Sequence, residues 1–176
     1  MFYGLAHNEA YFADKVSLFV ALGPVLELNH ASSELLIFIA NNDELILATC
    51  ELFGIYDMFP ANWLTTGAMR LICGVIPELC DFGAYLICDE DVDLDNSDRL
   101  DDYMGHFPSG TSLKCLDHYG QLISSGKFQY YDYGSDANKR IYNQTTPPLI
   151  PIQNINKVPI AMFVGTHDGL ADAIDN

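Results

Sequence analysis

Basic residues are scarce in this sequence. The chain of 176 residues has 8 lysines and arginines against 24 aspartates and glutamates, which gives a formal net charge of -16. A surface with this charge repels phosphate backbones and anionic lipid headgroups. We therefore expect no nucleic-acid partner.

The sequence also lacks an uninterrupted apolar run that could span a bilayer. Val16–Leu28 is too short, and Trp63–Cys88 is broken by Arg70, Glu78 and Asp81, so no transmembrane segment is predicted. No charged leader with an apolar stretch and a small-residue cleavage site opens the sequence, so no signal peptide is predicted there.

Motifs for metals and cofactors are absent too. The five cysteines include no CxxC pair, which argues against a zinc ribbon or a thioredoxin-type motif. His106 and His118 have no paired ligand spacing around them, and they are expected to be hydrogen-bonded packing residues. The prediction is no metal site and no cofactor.

What the chain does contain is apolar sequence: 49% of its residues are hydrophobic, enough for a folded core. Val16–Leu22, stopped by Gly23-Pro24, and Val158–Val164 are typical of buried parallel strands. The sequence between them is mainly helical. Helices are predicted over Phe2–Lys15, Glu34–Ala40, Asp43–Phe53 and Ile76–Cys88, with a further helix capped by Ser112 and stopped at Gly126.

A polar cluster follows the second predicted strand. Ligands of open α/β sheets bind at the carboxyl ends of the strands, which is where Asp168 is placed. The alternative is that Asp168 only caps a helix beginning near Leu170. The neighbouring His167 points to the opposite face of an extended chain and is expected to be a solvated loop residue. Two strands alone leave unpaired edges, which indicates part of a larger sheet.

Seven blocks of the sequence follow one another in a distinctive order: Asp98–Leu100, Gly105–Ser112, Ser125–Gln129, Tyr131–Ser135, Pro147-Pro148, Val158–Ala161 and Gly165–Asp172. The same blocks occur in this order in the acid lipases, and over essentially its whole length the chain resembles that family.

The resemblance implies a partial α/β-hydrolase fold of the α/β class, with two late parallel strands separated by a mainly helical cap insertion. Residues 1–28 and 151–176 would belong to the hydrolase core and residues 29–150 to the cap. The implied activity is hydrolysis of neutral lipid esters, as a triacylglycerol lipase or a sterol esterase.

The resemblance also assigns one catalytic residue. The family is a group of serine hydrolases with a Ser-His-Asp triad, and its G-x-x-D-x-L-A-D motif puts the triad acid at Asp168. The chain would begin just after the nucleophile elbow and end before the histidine. It contains no G-x-S-x-G; the nearest string, Gly110–Lys114, lacks the second glycine. The chain alone is therefore expected to be inactive.

Two covalent features follow from the resemblance. The family carries a cap disulfide near Cys73 and Cys80, followed by a cysteine that matches Cys88, but the spacing here is shorter. A bridge and a pair of buried free thiols both remain open. Asn143 begins a glycosylation sequon. The sequon can be glycosylated if the parent protein is secreted or lysosomal, as the resemblance implies.

The segment Trp63–Cys88 is the candidate for lipid contact. It is apolar and poorly charged, and a lipase needs a surface that shields its site in water and opens transiently onto lipid. Ordinary helix packing is the alternative.

A non-catalytic acidic interaction module, or a calcium-binding module, is the rival function. Asp91, Asp93 and Asp95 occupy the first ligand positions of an EF-hand loop, and Asp102 falls at the last. However, Asn96 replaces the turn glycine, and aspartate is shorter than the usual bidentate glutamate. We predict a solvated acidic loop and no specific calcium site.

Overall fold

The structure is a computed structural model that describes residues 1–58, 60–87, 99–106, 109–166, 168–169 and 171–175. Its α-helices are α1 (Phe2–Ala13), α2 (Glu34–Asn41), α3 (Asp43–Leu52), α4 (Trp63–Val75), α5 (Pro77–Ile87), α6 (Leu100–Met104), α7 (Leu113–Ser125) and α8 (Ser135–Tyr142). Its strands are β1 (Phe19–Leu22), β2 (Asp57–Met58), β3 (Thr111–Ser112) and β4 (Ile160–Phe163).

The chain forms two compact units. The first unit contains residues 1–30, 121–166 and 171–176, and the second contains residues 31–120 and 167–170. Among the described helices, none combines the length and the apolar character that crossing a bilayer requires.

In the first unit, β1 and β4 pair in parallel, with Phe19 opposite Ile160 and Leu22 opposite Phe163. The parallel pairing confirms the prediction, although both strands are shorter than predicted. Val16 donates its N–H to the carbonyl of Phe12 at the end of α1, at 2.7 Å, so the start of the predicted strand belongs to the helix terminus.

The prediction that both strands are buried was wrong. Leu22 is 76% exposed and Phe163 is 60% exposed, and Ala21 is the only buried residue of β1. A two-stranded sheet has two edges and two faces, and these four-residue strands leave much of that surface open to solvent.

Glu9 of α1 holds the segment that leads into β4. One oxygen of its carboxylate, Oε1, accepts the backbone N–H groups of Asn156 at 2.6 Å, Lys157 at 2.5 Å and Val158 at 3.2 Å. Loss of hydration is the largest single influence and raises the pKa of Glu9. The three N–H donors and the charge of Lys157 oppose it, and together they lower the pKa below its usual value.

Helix α7 begins and ends at the predicted residues. The Ser112 hydroxyl accepts the N–H of Cys115 at 3.1 Å, as expected of a cap. At the other end Gly126 has φ +61°, and a Cβ there would lie 2.0 Å from Oδ1 of Asn29. Glycine is therefore required both by the backbone conformation and by the close approach of Asn29.

The second unit is mainly helical. Helix α4 packs against α5 and α6 and begins with a capping box, in which Asn62 Oδ1 accepts the N–H groups of Leu64 and Thr65. Helix α5 begins at Pro77, one residue after the predicted start at Ile76. Proline is tolerated there because the first helical turn needs no N–H from that residue.

The structure joins Cys73 of α4 to Cys80 of α5 in a disulfide, with the two sulfur atoms 2.01 Å apart. Both cysteines are buried, and Met69 and Met104 pack against them. Cys50 and Cys115 are free thiols.

A buried amide organises the segment around α8 in the first unit. Asn138 is 0% exposed. Its Nδ2 donates to Asp132 Oδ1 at 2.7 Å and to the carbonyl of Thr145 at 3.1 Å. Its Oδ1 accepts the N–H of Tyr133 at 3.0 Å. One side chain therefore fixes the residues before and after α8.

We predict that Asn138→Ala lowers the free energy of unfolding by roughly 1–3 kcal/mol, because it leaves buried donors and acceptors without partners. The measurement is urea unfolding followed by circular dichroism. The exposed Asn154 is the control, and Asn154→Ala should change stability by less than about 0.5 kcal/mol. Equal effects of the two substitutions would contradict the organising role of Asn138.

Candidate active site

Asp168 follows β4 in the chain and is half-buried. The next residue, Gly169, is buried, and its carbonyl accepts the N–H groups of Ser32 at 2.9 Å and Ser33 at 3.3 Å. These bonds fix the backbone beside Asp168. The Asp168 carboxylate is thus attached to an anchored loop.

The helix-cap alternative for Asp168 was wrong, because residues 171–175 form a turn and not a helix. Within this turn, Asp175 donates its N–H to the carbonyl of Asp172 at 3.2 Å, and Ile174 donates to Asp172 Oδ1 at 2.6 Å. Asp172 therefore caps its own turn.

Tyr119 of α7 is influenced by the charge of Asp168. Its buried hydroxyl has no hydrogen-bond partner in the part of the chain that the structure describes. Burial is the main reason that the pKa of Tyr119 is raised, and the negative charge of Asp168 adds to the effect. The phenol therefore stays neutral beside the carboxylate at physiological pH.

A second carboxylate lies close to a histidine that the sequence analysis missed. Asp175 Oδ1 lies 2.6 Å from His30 Nδ1, and Asp175 Oδ2 accepts the backbone N–H of His30 at 2.7 Å. The bond from Asp175 raises the pKa of His30. Loss of hydration opposes this effect, and the charges of Asp175 and Asp172 reinforce it. No local sequence pattern connects residues so far apart in the chain.

The other described candidate residues differ in their exposure. His106 is exposed, and its backbone N–H donates to the carbonyl of Tyr103. His118 is half-buried, and Asn143 is exposed at the end of α8 with φ +60°. His167 and Cys88 lie outside the described residues.

Most of the acidic segment that was compared with an EF-hand loop also lies outside the described residues, namely Asp91–Asp98. Asp102 is described, and its Oδ1 accepts a bond from Arg70 at 3.1 Å. An arginine on this carboxylate competes with any cation. Within the described ranges, no group of His, Cys, Asp and Glu residues has the arrangement of a metal site.

Helices α4 and α5 expose a broad apolar surface. Trp63 is 86% exposed, and further large apolar side chains of the two helices are exposed with it: Leu64, Leu71, Val75, Leu79, Phe82 and Tyr85. We call these seven residues the α4–α5 apolar surface. Exposed apolar side chains in such number are typical of a protein or lipid interaction surface.

We predict that Tyr119→Phe raises the free energy of unfolding by about 1 kcal/mol, because it removes a buried hydroxyl without a described partner. Tyr142→Phe is the matched control. It deletes the bond from the Tyr142 hydroxyl to the carbonyl of Tyr131, 3.0 Å long, and should lower stability by about 1 kcal/mol. Urea unfolding measures both. A loss of stability in Tyr119→Phe equal to that of the control would mean that the hydroxyl is bonded.

Comparisons with known proteins give consistent matches. The chain is 36% identical to the lysosomal acid lipase/cholesteryl ester hydrolase of Rattus norvegicus, over 93% of the chain and 41% of that protein. It is 33% identical to the gastric triacylglycerol lipase of Homo sapiens, with the same coverage. It is also 33% identical to the lipase lipl-5 of Caenorhabditis elegans, over 99% of the chain and 44% of that protein.

No protein-family model matches the chain. The chain spans less than half the length of these curated relatives. The similarity nevertheless covers nearly every residue of the chain, and it relates the small parallel sheet and the helices to the α/β-hydrolases. By its sequence, the chain belongs to the acid lipase family.

Proposed function

We propose that this chain is part of a neutral-lipid ester hydrolase and that Asp168 is the acid of its Ser-His-Asp triad. The observation that carries the proposal is the anchored loop after β4, where Gly169 is held by Ser32 and Ser33 beside the half-buried Asp168. The names of the relatives, a gastric triacylglycerol lipase and a lysosomal acid lipase/cholesteryl ester hydrolase, support triacylglycerols or sterol esters as substrates.

In this proposal Asp168 accepts the Nδ1–H of the triad histidine and stabilises the imidazolium that forms when the serine loses its proton. The serine attacks the ester carbonyl, and backbone amides hold the oxyanion. The chain has no G-x-S-x-G, so the nucleophile and its base would come from the rest of the parent protein. The neutral phenol of Tyr119 adds no second negative charge near Asp168.

The proposed domain organisation follows the same comparison. Residues 1–28 and 151–176 would belong to the hydrolase core, and residues 29–150 would form a cap inserted between β1 and β4. The mainly helical second unit, which contains residues 31–120, supports a helical insertion.

We further propose that the α4–α5 apolar surface contacts the lipid phase transiently. A helix satisfies its own backbone hydrogen bonds, so its side chains are free to face acyl chains. The formal charge of -16 favours neutral lipids over anionic headgroups as the attracting surface.

The parent protein is proposed to be secreted or lysosomal. The relatives named as lysosomal and gastric lipases support this location, and the disulfide between Cys73 and Cys80 is typical of an oxidising compartment. In that compartment the exposed Asn143 is a proposed glycosylation site.

The first test concerns the chain by itself. We expect no hydrolysis of short-chain or long-chain esters above background, because loss of the nucleophile or the base of such a triad removes about a millionfold in turnover. The measurement is release of a chromogenic acyl leaving group by the purified chain. Hydrolysis that persists after treatment with a serine-directed inhibitor would show catalysis by other residues.

The second test uses an enzyme reconstituted with the serine-bearing and histidine-bearing parts of an acid lipase. Asp168→Asn should lower kcat by roughly ten-thousandfold, because the amide favours the wrong histidine tautomer. Asp172→Asn is the control; this residue caps its own turn and should affect turnover far less. Turnover and circular dichroism are measured on the same samples. Unchanged turnover in Asp168→Asn would refute the assignment of the acid.

A further inference from the structure

His30 and Asp175 connect two distant segments of the first unit through two bonds to one carboxylate. The imidazole Nδ1 lies 2.6 Å from Oδ1, and the backbone N–H of His30 donates to Oδ2 at 2.7 Å. The side chain of Asp175 is 3% exposed and that of His30 is 51% exposed. The imidazole can therefore exchange protons with solvent while the carboxylate is shielded from it.

The segment that carries His30 is fixed independently of this contact. Leu28 is 2% exposed, and Asn29 lies so close to Gly126 that no Cβ fits between them. The segment that carries Asp175 is the turn capped by Asp172. The carboxylate–imidazole pair thus ties this turn to an anchored loop, and the strength of that tie depends on the charge of the imidazole.

We propose that His30 and Asp175 form a pH-dependent latch, which holds the turn at residues 171–175 more firmly as the pH falls. His30 acts as a positioning residue for this turn. A bond between an imidazolium and a carboxylate is about twice as strong as a bond between neutral groups. The latch rests on its own contacts and does not require Asp168 to be the triad acid.

The direction of the pH effect follows from the groups around His30. Asp175 raises the pKa of His30 by hydrogen bonding, loss of hydration opposes it, and the charges of Asp175 and Asp172 add to the increase. Because the pKa is higher in the folded protein, the stabilisation is complete below the unfolded value of about 6.5 and is lost as the pH rises through the folded value. In strong acid, protonation of carboxylates removes the attraction.

The experiment is an NMR titration of the histidine side chains in the unmodified protein. It is combined with amide hydrogen exchange of residues 171–175 between about pH 5 and about pH 8. Exchange rates are corrected for the intrinsic effect of pH. The His30 midpoint should lie above about 6.5, and the turn should lose protection severalfold as the pH rises through that midpoint.

Two variants test the mechanism. Asp175→Asn keeps the shape of the side chain and removes its charge, so the His30 midpoint should fall towards about 6.5 and the pH dependence of exchange should disappear. His106→Gln, at an exposed histidine away from the turn, should leave both measurements unchanged. A His30 midpoint at or below about 6.5 in the unmodified protein would overturn the latch. The same pH dependence in Asp175→Asn would overturn it as well. Neither readout involves ester hydrolysis, so failure of the latch and failure of the proposed triad are separable.

Discussion

The parallel pairing of β1 with β4 is the constraint on which the organisation of the first unit depends. Parallel strands cannot be joined by a tight turn, so a long segment must leave the sheet and return. The return is specified by backbone bonds: Phe19 donates to the carbonyl of Pro159 at 2.9 Å, and Gly23 donates to that of Phe163 at 2.7 Å. The Glu9 carboxylate satisfies the three N–H groups that precede Pro159. Helix α1, the segment that leads into β4, and the sheet are thereby fixed together.

The sequence predicted those features that depend on neighbouring residues. The apolar run ended by Gly23 located β1, the predicted start of α5 at Ile76 was one residue early, and Ser112 marked the start of α7. The sequence did not predict how exposed the strands are, because burial depends on what covers a residue from elsewhere. Leu22 has an apolar side chain, which is typical of a core residue, but it is exposed to solvent.

The candidate site shows the same division. The family motif singled out Asp168, but it could not distinguish the folding roles of the other two aspartates nearby. The structure assigns those roles by contact: Asp172 accepts an N–H within its own turn, and Asp175 binds His30. The partner of Asp175 lies at the other end of the chain, and a single sequence carries no signal for such a pair. The sequence also left undecided whether Cys73 and Cys80 form a disulfide, because their spacing differs from the family pattern. The structure shows the disulfide.

The exposed apolar residues of the two units have different physical meanings. In the first unit, Leu22 and Phe163 lie in a sheet that has two strands among the described residues, so each strand has an outer edge. Such edges cannot face hydrocarbon, because each unpaired backbone group would lose its hydration without gaining a partner. Water can hydrate them, or additional strands of a larger sheet can pair with them. In the second unit, Trp63 and its neighbours lie on helices whose backbone groups are already paired, so burying them in lipid removes apolar area from water without that cost. Unpaired backbone, more than side-chain hydrophobicity, therefore separates a surface suited to pairing with further strands from a surface suited to apolar contacts.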